Sequence, residues 1–215
     1  MVVYRHATEP TGGTAPPDRS DISLFLDIGQ GAGLAGASGV RPFLPPLLAG
    51  TLARGDLGID FSGTSYDFLE SPGFLLAVLA LAVAAYALDR RRGGEKPDLT
   101  ARALGVLALV LGALLFAGSL AEGGHESWPG IVAGVACAAL GYVAVAMLFA
   151  RARRRMRGDG TGLLSVYADA IALALAGLAI ALPPVGLVAL LVFVALLVRG
   201  RSGRDAKYEG LRSLR

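Results

Sequence analysis

The chain has 215 residues, of which 54% are hydrophobic and 17% charged, with a formal net charge of +3. Soluble domains carry about 25% charged residues, and the apolar residues here are bunched into long uncharged runs, which argues against a soluble core. The single cysteine, Cys137, rules out a disulfide within the chain. The two histidines, His6 and His125, are too few and too separated for a histidine metal cluster.

Residues 1–20 mix Pro, Gly, Thr and charge, without the apolar region and small-residue cleavage site of a secretory signal. They read as a flexible polar tail. A transmembrane domain over 21–200 and a basic cytoplasmic tail over 201–215 follow. A helix crosses a hydrocarbon core with about 20 apolar residues, and uncharged runs of that order recur at 72–88, 103–121, 127–150 and 170–198.

The first apolar segment, Ile22 to Ala53, holds Gly29, Gly31, Gly33, Gly36 and Gly39, then Arg41-Pro42-Phe43-Leu44-Pro45-Pro46. Small residues at this spacing let helix backbones approach closely. Each proline removes a backbone donor and disfavours helix in the residue before it, so the spacing predicts a helix broken between Arg41 and Pro46. Irregular backbone at membrane depth is tolerated inside protein or beside a water-filled cavity.

Ser71-Pro72 opens the second span, with Ser as N-cap and Pro at the first helical position. It runs to Leu88. The third covers about Thr100 to Ala121, and the fourth starts at Trp128-Pro129 and runs to Ala150. Residues 163–198 make about 54 Å of helix at 1.5 Å per residue, too long for one crossing. Pro183-Pro184 divides them into a fifth and a sixth span. The fold class expected is an all-α polytopic bundle of about six transmembrane helices.

Eighteen of the 20 Lys and Arg lie in the N-terminal tail, the 90–102 and 151–157 loops and the C-terminal segment 199–215. With six spans these four segments share one side. Positive segments stay cytoplasmic, so both termini are expected on the inside of the cell (inner or plasma) membrane, the basic face meeting anionic lipid. No nucleic-acid partner is needed to explain the charge. A re-entrant first segment would move the N-terminal tail outside. Three spans per half is also the parity of a 3+3 inverted repeat. Residues 32–39 can be laid on 133–141, Gly55-Asp56 on Gly158-Asp159, and Ser65-Tyr66-Asp67 on Ser165, Tyr167 and Asp169.

The candidate substrate-binding residues are Arg41, Pro42, Phe43 and Pro45 at the break, with Asp27, Tyr167 and Asp169. Ionisable groups within a span are expensive and default to functional candidates. Nineteen residues from Ile22, Arg41 lies toward the outer end of the first span. There it either snorkels to the headgroups or faces an internal cavity and pairs with a carboxylate or an anionic ligand. By depth neither Asp27 nor Asp169 is level with it, so a direct ion pair is not expected. His125 with Glu122 and Glu126 reads as a wet loop rather than a metal site. No phosphate-cradling Gly-rich loop and no organised nucleophile is legible, so no enzyme, metal or cofactor is expected. The Gly faces offer a surface for homo-oligomers.

The stretch GLAGASGVRPFLPPLLAGTLAR resembles the signature of a family of small bacterial multi-pass membrane proteins known only as a domain of unknown function, with a Gly/Ala-rich helix running into Gly-x-Arg-x-Phe-x-Pro. The resemblance continues in Ser71-Pro72, in Asp169 followed by Leu182-Pro183-Pro184, and in the basic tail 207–215. It implies a membrane protein and no particular activity. Two function classes follow: a small transporter, channel or lipid translocase working at the broken helix, or a non-catalytic membrane scaffold or accessory subunit.

Overall fold

The computed structural model describes residues 19–91, 98–155 and 161–212. The expected tail over 1–20 lies, but for its last two residues, outside this range, as do parts of the two basic loops. Among the described residues the architecture is all-α, with seven helices. They are α1 (Arg19–Val40), α2 (Leu44–Ala53), α3 (Pro72–Arg91), α4 (Asp98–Glu122), α5 (Trp128–Arg155), α6 (Thr161–Ala181) and α7 (Pro184–Arg212), with a 3-10 turn at Asp67–Glu70.

The prolines act where the sequence places them. Arg41 N–H still donates to Ala37 O at 3.0 Å, closing the last turn of α1. Pro45 and Pro46 then fall in the first turn of α2, where a helix has no acceptor for the N–H that proline lacks. Ser71 caps α3: its Oγ accepts from Phe74 N–H at 3.2 Å. Pro184 opens α7, and helix continues through 201–212, where the sequence suggested a tail.

α1 is the axis of the bundle, packed on α4, α5, α6 and α7, and every residue from Gly29 to Val40 is buried. Glycine makes this possible. A Cβ on Gly186 would overlap the carbonyl of Gly29, and one on Gly141 the carbonyl of Gly36. The glycine face is therefore filled by the chain's own helices.

The direction of the first two helices departs from the expected single broken span. Near the start of α1, Asp27 meets Gly123 and His125 in the α4–α5 turn. Gly31 lies against Phe116, Gly36 against Phe193, and Arg41 meets Asp169 in α6. α2 then returns: Leu44 packs with Val40, Ala168 and Phe193, whereas Ala53 packs with Ala179 and Ile180. Residues 19–53 form an antiparallel hairpin with Arg41 at its turn. One end of the bundle holds the start of α1, the 54–71 loop, and the α4–α5 and α6–α7 turns. The other holds the ends of α3, α5 and α7 and the starts of α4 and α6. The first is rich in Asp and Glu and the second in Arg, so they are called the acidic and basic ends below. The start of α1 and the end of α7 thus lie at opposite ends. Six spans with both ends on one side would instead put the start of α1 and the end of α7 at the same end of the bundle.

The repeat is treated likewise by the geometry. The segments laid on each other, 32–39 and 133–141, lie in α1 and α5, which pack together and run in the same direction. Equivalent helices of an inverted repeat run in opposite directions. Ser65-Tyr66-Asp67 lies at a turn and Tyr167 and Asp169 in a helix; Gly158-Asp159 is outside the described residues.

Among the described residues two helices, Arg102–Glu122 and Trp128–Arg151, are long and apolar enough to cross a membrane. Four apolar helices are shorter: Leu44–Ala53, Pro72–Leu88, Val166–Ala181 and Pro184–Arg199. Side-chain size is inverted relative to a water-facing bundle. The interior is largely Gly and Ala, while Leu76, Val83, Val132, Val166, Val188 and Leu191 are exposed.

Candidate functional site

Two polar clusters sit at the two ends of α1. At the basic end, Arg41 Nε lies 2.6 Å from Asp169 Oδ1, with the side chains 33% and 46% exposed. This overturns the depth argument from sequence. A first segment running straight through the bundle from the basic end would put Arg41 at the far side from the start of α6. Because α1 enters from the acidic end, Arg41 arrives instead level with Asp169. Asp169 is eight residues into α6, about 12 Å from its start, so the pair lies well inside the helix ends.

Pro42 and Phe43 form the hairpin turn beside the pair and are partly buried. The other candidates are not brought there. Pro45 is fully buried in the start of α2. Tyr167 is 65% exposed, and two residues along a helix from Asp169 it points to another face. Asp27 is fourteen residues from Arg41 along α1, about 21 Å away.

At the acidic end Asp27 joins a network that the sequence did not reveal. Its Oδ2 is 3.3 Å from His125 Nε2, with both side chains at least three-quarters buried. Gly123 admits this contact, because a Cβ there would overlap the Asp27 carboxylate. Gln30 Nε2 donates to Glu122 Oε2 at 3.3 Å, and Asp60 N–H donates to Glu122 Oε1 at 2.9 Å. Glu122 thereby ties the 54–71 loop to α1 and α4. Within that loop, the Ser62 hydroxyl and backbone N–H donate to Asp60 and hold its carboxyl below the ordinary value. Ile59, Phe61 and Leu69 anchor the loop in the core with Leu34 and Leu115. The signal available in sequence was the proximity of Glu122, His125 and Glu126. His125 turns to Asp27 on α1, and Glu126 is exposed. Among the described residues no three His, Cys, Asp or Glu side chains come together as metal ligands.

Between the two clusters the interior is close-packed. Ser38 and Ser119 are buried and donate to carbonyls of their own helices, Leu34 O and Leu115 O. Cys137 is buried among apolar side chains.

A family model for a domain of unknown function, DUF4126, matches residues 28–202, and the chain belongs to that family. The match takes in α1 from Ile28, the hairpin turn with Arg41, and Asp169. Neither a curated protein nor a solved structure matches the chain.

Proposed function

We propose that this chain is a multi-pass membrane protein of the transport class, a small carrier or lipid translocase whose working element is the α1–α2 hairpin. The membrane part rests on the inverted bundle: small residues inside, large aliphatic side chains outside, and Arg concentrated at one end. That end is the cytoplasmic one in a plasma membrane by the positive-inside rule. The transport part is carried by the Arg41–Asp169 pair, a half-exposed ion pair at a break between two helices. Charges within helical membrane segments mark substrate and ion paths, and discontinuous helices recur at transporter sites.

The second reading is a scaffold or accessory subunit. It is favoured by the close glycine packing all round α1, which leaves the bundle axis dry. Reconstitution in sealed vesicles separates the two. The transport reading expects movement of a fluorescent anionic lipid or a small anion, reduced at least tenfold by Arg41→Gln. No movement by wild type, with Arg41→Gln as stable as wild type, moves the assignment to the scaffold.

A further inference from the structure

The 54–71 loop closes the acidic end as a strap with a plug in its middle. Ile59 and Phe61 are buried in the core with Leu34 and Leu115, and the exposed Asp60 lies between them. Gly58 and Gly63 flank this plug at φ +77° and +72°, the left-handed region that glycine enters freely. Gly63 is exposed, with nothing within 4 Å of its Cβ position. Two permissive points therefore bracket three residues. The polar fastening of the plug is the Asp60 N–H, which donates to Glu122 Oε1 at 2.9 Å.

Glu122 belongs to a larger cluster. Its other oxygen accepts from Gln30 Nε2 at 3.3 Å. Asp27, three residues before Gln30 on the same face of α1, meets His125 Nε2 at 3.3 Å. Two carboxylates and one imidazole thus sit at the foot of the strap, and Asp60 adds a third carboxylate, turned outward to Ser62. Asp27 Oδ2 and His125 Nε2 are both buried, and neither has a hydrogen-bond partner among the described residues. A proton on Nε2 makes their contact attractive; without one, a nitrogen lone pair faces a carboxylate. The remaining neighbours bring no buried cation. Ile180 of α6 lies against Gly58, and Pro183 at the α6–α7 turn lies against Gly29. Asp21, Arg54, Asp56 and Glu126 are exposed, and Asp67 and Glu70 are further carboxylates of the loop itself.

We infer that the Asp27–Glu122–His125 cluster is a proton-binding site and that the 54–71 loop is the strap it holds. The seated strap lies on Glu122, shields the cluster from water and brings Asp60 beside it. The cluster therefore binds a proton more tightly with the strap seated than with it lifted. By linkage the strap stays closed as pH falls and opens as pH rises. Glu70 acts in the same direction: burial and the nearby Asp67 raise its carboxyl above the ordinary value of 4.5. Opening lifts Phe61 off α4 at Gly118, where a Cβ would overlap its ring. The inference goes beyond the transport reading and holds equally for a scaffold.

The test is hydrogen–deuterium exchange of the full chain in detergent, read by mass spectrometry on peptides covering 54–71, with 106–120 of α4 as the reference. Rates are corrected for the chemical pH dependence of exchange. Wild-type 54–71 exchanges about tenfold faster at about pH 8.5 than at about pH 5.5, the effect of one unit of difference in proton affinity, while 106–120 does not change. Glu122→Gln keeps an acceptor for the Asp60 N–H without the charge; it loses the pH dependence and stays protected. His125→Gln leaves 54–71 less protected than wild type at about pH 5.5. A wild type without pH dependence, a loop that opens as pH falls, or an equal change in 106–120 each overturns the strap. So does the wild-type pH dependence retained in both Glu122→Gln and His125→Gln. A dependence lost in Glu70→Gln but kept in Glu122→Gln assigns the proton to Glu70 and overturns the cluster.

Discussion

The guanidinium of Arg41 and the carboxylate of Asp169 meet at 2.6 Å, one at the end of the first helix and the other within the sixth. The contact fixes the hairpin turn against α6. Both side chains are more than a quarter exposed, so the pair is worth little in stability even though it defines the register. A double-mutant cycle with Arg41→Gln and Asp169→Asn, read by thermal unfolding in detergent, is expected to give a coupling of roughly 0.5–1 kcal/mol. A transport defect in the same variants then reads as a role beyond folding.

Gly186 and Gly29 bring α7 and α1 into backbone contact. A methyl group on Gly186 meets the Gly29 carbonyl, which belongs to a helix that is buried all round and has nowhere to move. Gly186→Ala is expected to destabilise by about 1–3 kcal/mol, the usual range for overpacking. Gly73, near the start of α3, has nothing within 4 Å of its Cβ position. Gly73→Ala is expected to be neutral or to stabilise by about 0.4–1 kcal/mol through the unfolded chain. Parallel melts of the two variants check the contrast.

His125 and Asp27 differ in what each leaves behind. His125→Ala strands a mostly buried carboxylate, whereas Asp27→Asn removes the charge and leaves an amide that can still bond to the imidazole. Removing one partner of a buried pair costs more than neutralising the charge. His125→Ala is therefore expected to lose about 1–3 kcal/mol and Asp27→Asn less. The reverse order in unfolding midpoints would contradict the pairing.

Glu70 gives the pH dependence a sign. It lies in the 3-10 turn, where burial raises its carboxyl above the ordinary value of 4.5 and the nearby Asp67 adds to the rise. A raised carboxyl binds its proton more tightly in the folded chain, so its contribution to stability falls as pH rises through the window above 4.5. Glu70→Gln is expected to melt above wild type at neutral pH, with the difference closing near the acid side of that window. A constant difference across the range would show that Glu70 is ordinary.

Much of the local structure is legible from chemistry confined to a few residues. Ser71-Pro72, Trp128 and Pro183-Pro184 mark helix boundaries because capping and the missing proline N–H act within one turn. The break at Arg41–Pro46 is legible for the same reason. The return of α2 is not. Whether a chain continues or doubles back after a proline cluster depends on which surface it finds, here Ala176, Ala179 and Ile180 of α6. That one choice of direction decides which charges meet. It makes Arg41 level with Asp169, places Asp27 beside His125, and sets the start of α1 and the end of α7 at opposite ends of the bundle. Gln30 carries no signal in the sequence, and Glu122 reads only as part of a wet loop, until α1 lies against the end of α4.

The hairpin of residues 19–53 and a single crossing differ in which side the start of α1 faces, and labelling distinguishes them. In a Cys137→Ala background, single cysteines at Ile22, Leu57 and Arg199 are labelled with a membrane-impermeant maleimide in intact cells and again after permeabilisation. The hairpin predicts that Ile22 and Leu57 react from one side and Arg199 from the other, with Arg199 labelled after permeabilisation. Ile22 and Arg199 reacting from the same side would mean that residues 22–53 cross once, and would contradict the account.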